Sequence, residues 1–388
     1  MSWETVTFGS ICNLVNGKAF KPSDWSTSGV PIIRIQNLNG AGKPFNFWAG
    51  SFENQVLVKA GDLLLAWSGT PGTSFGSHIW YGPDSVLNQH IFRCDIDRKR
   101  VTPEWVKFAV NVQLDQLIQL SHGGVGLKHV TRRVVEELKI PLPTLEEQKR
   151  IAEILDRAEA LRAKRRAALA QLDELTQAIF IGMFGDPVKN PKNWDMTKLG
   201  ECIEFMTSGS RGWAKYYSDA GEKFIRIQNV KNGKLDFSDI QLVKPPKTAE
   251  SIRTKVKDGD LLISITADLG RTAVVDDQTA LEGAYINQHL ALIRLNKKIV
   301  DPVFVSQYLE SEGGKRQFSS LDQKGVKSGL NFENVKSLEF YLPPLDMQKE
   351  FSLRIATLEK LKVSHKASLG ELDELFASLQ YRAFRGEL

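Results

Sequence analysis

The residues of this chain best suited to chemistry are hydrogen-bond donors and acceptors in short loops, and they come as pairs of unmatched stretches. Trp67, Ser68, Thr70, Thr73 and Ser74 fill one stretch around Gly69 and Gly72, and Thr266, Asp268 and Arg271 fill its partner around Gly270. A second pair sets Lys18 and Lys21, with Asn16 and Trp25, against Arg211, Trp213, Lys215 and Tyr216, with Ser208, Ser210 and Tyr217. A third sets Lys128, His129 and Arg132, with His122 and Arg133, against Lys324, Lys327 and Ser328. Glycine lets a backbone approach a ligand closely. Hydroxyls and guanidinium groups donate hydrogen bonds, and a carboxylate accepts them. These groups suit the recognition of a polar partner and not its transformation.

Apparatus for turnover is missing from the sequence. Gly313-Gly314-Lys315-Arg316 has neither the spacing nor the hydroxyl of a nucleotide phosphate loop, and His-Glu-x-x-His does not occur. Lys244-Pro245-Pro246-Lys247 lacks both ends of the Asn/Asp-Pro-Pro-aromatic run of an amino-group methyltransferase. Glu147-Gln148-Lys149 opens a helical stretch with no acidic partner nearby upstream, so it reads as helix surface and not as a nuclease motif. His90 and His289, each after Asn-Gln, are expected to sit in apolar strands and to hold a loop by a hydrogen bond. The expectation is a binding protein with no catalytic residue, no metal ligands and no cofactor of its own.

Those loops are positioned by a scaffold written twice. Ile33-Arg34-Ile35-Gln36-Asn37 returns as Ile225-Arg226-Ile227-Gln228-Asn229, Gly61-Asp62-Leu63-Leu64 as Gly259-Asp260-Leu261-Leu262, and Asn88-Gln89-His90 as Asn287-Gln288-His289. Trp3-Glu4 likewise returns as Trp194-Asp195. A period of about 200 residues far exceeds the roughly 20–50 of a solenoid unit, so two domains related by a pseudo-two-fold are expected. Residues common to both copies should build the frame, which places Gln36-Asn37 and Gln228-Asn229 there, and residues that differ should carry what each domain recognises.

Within each copy, residues 30–36 and 224–228 read as strands, and Val256 to Ile263 reads as a hairpin about Asp258-Gly259, with Val58 to Leu65 as its counterpart. Thr102-Pro103 and Asp301-Pro302 start helices. From Leu145 the pattern turns heptad: Ile151, Ala158, Leu172 and Ile179 form one series, and Ile154, Leu161, Ala168 and Leu175 the other. The second copy repeats it with Phe351, Leu358, Leu372 and Leu379, plus Leu361 and Leu375. Thr144 and Glu147 form a capping box that the second copy lacks, which leaves the first turn of its helix less firmly fixed. About 35 residues make a helix of roughly 50 Å. The two helices are expected to pair antiparallel, and Arg162, Lys164, Arg165 and Arg166 to form a solvated basic face.

The resulting fold class is α+β, a mixed α/β chain: domain 1 over residues 1–143, a helical spacer over 144–185, domain 2 over 186–343 and a second spacer over 344–388. A hydrophobic content of 42% and a charged content of 25% suit globular cores, and a net charge of +5 suits a polyanionic partner. Three scattered cysteines, no basic-then-apolar leader and no run of about 18 apolar residues point to a reducing, cytoplasmic setting without a membrane span.

Taken in this order, and twice over, these motifs resemble the specificity subunit of type I restriction-modification enzymes. The likeness covers essentially the whole chain and includes Ile140-Pro141-Leu142-Pro143-Thr144-Leu145-Glu146-Glu147-Gln148 at the helix entry. It implies a bacterial or archaeal protein that reads a bipartite site on double-stranded DNA, one half per domain. It further implies two modification subunits, which methylate adenine with S-adenosylmethionine, and through them two restriction subunits using ATP and Mg. The alternative reading is a coiled-coil adaptor with two protein-binding domains, separable by the steep salt dependence of DNA binding.

Overall fold

The structure is a computed structural model that describes residues 3–38, 43–51, 57–69, 74–119, 128–322 and 329–388, with backbone alone at 69, 128 and 129. The chain divides into two compact units, Met1–Arg166 with Ala367–Leu388, and Ala167–Lys366. Among the described residues no helix is long and apolar enough to cross a membrane.

The two units share one architecture. In the first, an antiparallel sheet runs in the order Cys12–Asn16, Ile91–Ile96, Leu63–Ala66, Gly76–Ile79. In the second, the order is Ile203–Ser208, Leu290–Leu295, Leu261–Ser264, Thr272–Val274. A smaller four-stranded sheet accompanies each, and in each it contains one parallel pair, Val30–Ile33 with Ser85–Leu87 and Glu222–Ile225 with Ala284–Ile286. The entering and leaving strands of each domain pair with one another, Thr5–Thr7 on Lys139–Pro141 and Met196–Lys198 on Glu339–Tyr341.

Two expected strands end early. The copies of Ile-Arg-Ile-Gln-Asn leave their strands at Ile33 and Ile225 and turn into a short helix. Asn37 and Asn229 cause this, because each side-chain carbonyl accepts the backbone N–H of the residue three earlier, Arg34 at 3.0 Å and Arg226 at 2.9 Å. Both asparagines are buried, as frame residues should be. The expected hairpin at Asp258-Gly259 is only a turn. Gly259 takes φ +77 and Asp260 accepts the Lys257 N–H at 2.7 Å, but the strand beginning at Leu261 pairs with Thr272–Val274 and Leu290–Leu295 and not with what precedes it. Asp62 closes the equivalent turn on Lys59 at 2.8 Å, so Gly-Asp-Leu-Leu encodes a turn and the central strand it launches.

The helix starts are as expected: Thr102 accepts from the Trp105 N–H, and Asp301 from those of Val303 and Phe304. The long helices span Leu145–Phe184 and Leu345–Ala383, 40 and 39 residues. At about 1.5 Å per residue each is nearly 60 Å long. The first ends against Gly185, at φ +91, and its last carbonyls are met by the Trp194 indole at 3.0 Å and Lys192 at 2.7 Å, which gives the repeated tryptophan a use. Thr144 accepts the Glu147 N–H at 3.3 Å, but the Glu147 carboxylate pairs with Arg150, so the capping box is one-sided. That pairing holds the Glu147 carboxyl below its ordinary range.

The helices pack antiparallel in both units. In the first, Arg150 donates to the Leu388 carbonyl at 2.8 Å and Arg162 pairs with Asp373 at 2.6 Å, so partner numbers fall as helix numbers rise. In the second, Lys362 pairs with Asp173 at 2.7 Å while the Phe351 ring lies 5.5 Å from that of Phe184. Ile151, Ala158, Phe351 and Leu358 are buried, and Leu172, Ile179, Leu372 and Leu379 are partly so. The second heptad series lies one residue further on. Leu155 and Thr176 are buried and Arg162 is only 16% exposed, whereas Ile154, Ala168 and Leu169 are half-buried and Leu161, Leu175, Leu361 and Leu375 are 52%, 40%, 46% and 49% exposed.

The reason for the shift is that charge occupies the seam. The Arg162 guanidinium lies 4.3 Å from the Phe376 ring and pairs with Glu159 and Asp373, and Lys362 is buried between Asp173 and Glu359. Arg162 therefore belongs to the helix contact and not to a solvated basic face.

Candidate nucleic-acid interface

In both units the unmatched loops leave the same end of the larger sheet. Asn16 pairs beside Phe92 and Ala66 beside Ile91, so the loops after Asn16 and Ala66 and the turn before Ile91 emerge together. His129 pairs with Ser68 and adds the third loop. In the second unit Ser208 lies beside Ala291, Ser264 beside Leu290, and Thr266 bridges to Gly329.

A shared frame holds this end. Gly17 and Gly209 tuck under Asn88 and Asn287 so closely that a Cβ would lie 2.1 Å and 2.0 Å from the asparagine carbonyl oxygens. The next residues, Lys18 and Ser210, donate their N–H groups to Leu87 at 2.8 Å and Ile286 at 3.0 Å. In the sequence only their shared place after a first strand marks these glycines. His90 and His289 sit in the turn before the strand and not within it, and each backbone carbonyl accepts from the loop, from Trp67 at 3.3 Å and Ile265 at 3.0 Å. His289 Nδ1 also bonds the Thr266 hydroxyl at 2.6 Å, the loop-holding part expected of it.

Candidate residues fall into three groups. Several are frame or core: Trp213 is 3% exposed, stacked 5.6 Å from Phe224, and its indole donates to Glu250, because the short helix it opens turns inward over the smaller sheet. Ser68 and Ser74 are buried, Ser68 in the strand pair with His129 and Ser74 with its carbonyl bonded to His78 at 2.9 Å. Burial pushes the His78 imidazole below its ordinary range. Trp67 is half-buried, its ring 5.7 Å from Phe92.

Others face solvent. Lys18 lies 4.5 Å over the Trp48 ring, Lys21, Arg211 and Lys215 are exposed, and Lys215 lies 5.0 Å from the ring of half-buried Tyr216. Arg132 pairs with Glu136 at 2.7 Å. Asp268 and Arg271 pair with each other beside half-buried Thr266. The third group lies outside the described residues: Thr70, Thr73, His122, Lys324, Lys327 and Ser328, with the side chains of Lys128 and His129.

This geometry, with constant frame and variable rim in both copies, can be set beside known proteins. A family model described as the type I restriction modification DNA specificity domain matches residues 1–171 and again 191–372. The chain is 24% identical over 418 residues to the type I restriction enzyme EcoBI specificity subunit of Escherichia coli, covering 100% of this chain and 86% of that protein. It is 22% identical over 382 residues to the MjaVIII specificity subunit of Methanocaldococcus jannaschii, covering 92% and 86%. In fold it is similar to the type I restriction-modification S subunit from M. genitalium, at TM-score 0.61 and 14% identity over 99% of this chain and 96% of that one. A second solved chain, from the type I R-M system, gives TM-score 0.55 at 18% identity, covering 100% and 98%. Matched in both copies and over nearly its whole length, the chain belongs to the family of the type I restriction modification DNA specificity domain.

Proposed function

We propose that the chain is the non-catalytic, sequence-reading subunit of a type I restriction-modification enzyme and binds an asymmetric, bipartite double-stranded DNA target. Residues 1–143 read one half-site, residues 186–343 the other, and the helices of 144–185 and 344–388 set the gap. The observation that carries this is the gathering of unmatched loops on one end of a matched sheet in each unit. Shared groups position a duplex and differing groups specify its bases. Lys18, Lys21, Arg132, Arg211, Lys215, Thr266, Asp268 and Arg271 belong to this rim, and Lys128, His129, Lys324 and Lys327 are assigned to the same reading set from the sequence alone.

Two modification subunits dock on the helix pair, at the exposed leucines 161 and 375 in one unit and 175 and 361 in the other, and carry two restriction subunits. S-adenosylmethionine, ATP and Mg bind those partners. The setting is the bacterial or archaeal cytoplasm.

Selection of duplexes from a random library by the full chain tests this. The expected outcome is a gapped, asymmetric motif whose binding weakens by orders of magnitude between 50 and 200 mM salt, as several phosphate contacts require. A palindrome would contradict the division between two different domains. Enrichment of no sequence, with salt-insensitive binding of proteins instead, would favour an adaptor.

A further inference from the structure

We propose that Asp268 and Arg271 act as one unit that reads a single G·C base pair in the half-site of the second domain, Arg271 on the guanine and Asp268 on its paired cytosine. The inference rests on the DNA-reading function of this loop and adds the base pair it selects.

The loop is built rigid. Ser264 and Arg271 close it with one backbone bond, the Ser264 N–H to the Arg271 carbonyl at 2.9 Å, and one to a side chain, the Arg271 N–H to the Ser264 hydroxyl at 2.9 Å. Gly270 donates to the Ser264 carbonyl at 3.1 Å and takes φ +78, and a Cβ there would lie 2.3 Å from the Phe318 ring. Thr272 is tied to Glu310 at 2.6 Å just beyond the loop. Ala267 takes φ +61, a conformation that alanine adopts only under constraint.

On this fixed support the two charged side chains meet, and both remain in contact with water, Asp268 at 53% and Arg271 at 36%. They line a cleft of about 640 Å³ together with Lys231, Lys315, Glu310 and Asp322. The ion pair uses only part of each group. A guanidinium carries five N–H donors and a carboxylate about four acceptor positions, so both have bonds left to make. Asp268 meanwhile holds Arg271 in one orientation, which lowers the entropy lost on binding.

The major groove decides what such a couple fits. A G·C pair presents two acceptors on guanine, N7 and O6, and then a donor on cytosine, N4. Donors followed by an acceptor match that order. An A·T pair presents acceptor, donor, acceptor, so Arg271 would face the adenine amino group and Asp268 the thymine O4, both repulsive. A C·G pair reverses the order, so the couple also fixes which strand holds the guanine.

The test is selection from a randomised duplex library by the full chain and by Arg271→Ala and Asp268→Ala, followed by titration of the recovered duplexes. The unaltered chain should return an invariant G·C pair. Each variant should lose preference at that pair alone and bind the recovered duplex about 5- to 150-fold more weakly, the size of a good bidentate contact. Undiminished selectivity for the other half-site shows that the variants are folded. Equal weakening on recovered and scrambled duplexes would reassign Arg271 to the phosphate backbone and overturn the inference, as would loss of preference at two different pairs or at an A·T pair. Enrichment of nothing by the unaltered chain would remove the DNA-reading function itself.

Discussion

Gln148 accepts the backbone N–H of Thr102 at 2.9 Å, and its amide donates to the Arg100 carbonyl at 2.8 Å and the Pro143 carbonyl at 2.9 Å. Gln348 repeats this on Asp301 at 2.9 Å and Pro343 at 2.7 Å. Both glutamines are completely buried. The Leu-x-x-Gln motif is thus a clasp between the first turn of a long helix and the start of a domain helix. It fixes the second helix's start without a capping box, contrary to the expectation from Pro344-Leu345-Asp346-Met347.

Gln148→Leu should therefore be far more damaging than its conservative shape suggests. It would leave the Thr102 N–H and two carbonyls without partners in a dry site, at about 1–3 kcal/mol for each orphaned group. Gln148→Glu keeps the acceptor but loses the donor, so its denaturant midpoint should fall between the other two. Equal midpoints for the unaltered chain and Gln148→Leu would refute the clasp.

Gly209→Ala should cost on the order of 4 kcal/mol, at the upper end of single substitutions, because the obstacle is a backbone carbonyl that cannot move without parting two strands. Gly212→Ala is the comparison. That residue takes φ +67 with open space around it, so only conformational strain of about 1–2 kcal/mol is expected. Thermal unfolding of both variants separates crowding from strain, and equal costs would contradict the close approach.

The duplication, the helix starts and the placement of the variable loops were legible because they rest on local patterns and on comparison of the copies. What was not legible depended on partners distant in sequence. Trp213 reads as a variable loop residue until Phe224 and Tyr285 close over it. Arg162 looks solvated until Asp373 and Phe376 arrive from the other helix, and its place in the seam turns Leu161 outward. Gly17 and Gly209 share a place after the first strand, but the need for glycine there shows only once Asn88 and Asn287 lie against them.

The second unit should lose stability in alkali from about pH 10. Burial and nearby Glu339 push the Tyr308 phenol up to about 12, and burial with Tyr308 beside it pushes Tyr341 higher still. A raised folded pKa means that the folded state keeps its proton where the unfolded chain, near 10, has lost it. The stabilisation is complete below pH 10 and drains away as pH rises through 12. Tyr308→Phe should flatten that decline, at the loss of one bond to the Pro187 carbonyl at 3.3 Å. Denaturant midpoints from pH 8 to 12 measure it, and an unchanged slope would speak against buried, protonated phenols.

Leu161, Leu175, Leu361 and Leu375 are apolar where the helix pair meets water, which costs solubility unless something covers them. Leu175 and Leu361 line one groove of about 500 Å³ in the second unit, and Leu161 and Leu375 hold the equivalent positions in the first. If modification subunits dock there, Leu175→Asp with Leu361→Asp should remove one copy from the assembled enzyme while leaving the other. Because the side chains are exposed, folding should change by no more than about 0.5 kcal/mol per substitution. DNA binding by the chain alone should be preserved, since neither leucine lies in a reading loop. Mass measurement of the reconstituted complex distinguishes the outcomes: two modification subunits retained would move the docking site elsewhere, and loss of both would mean that one contact depends on the other.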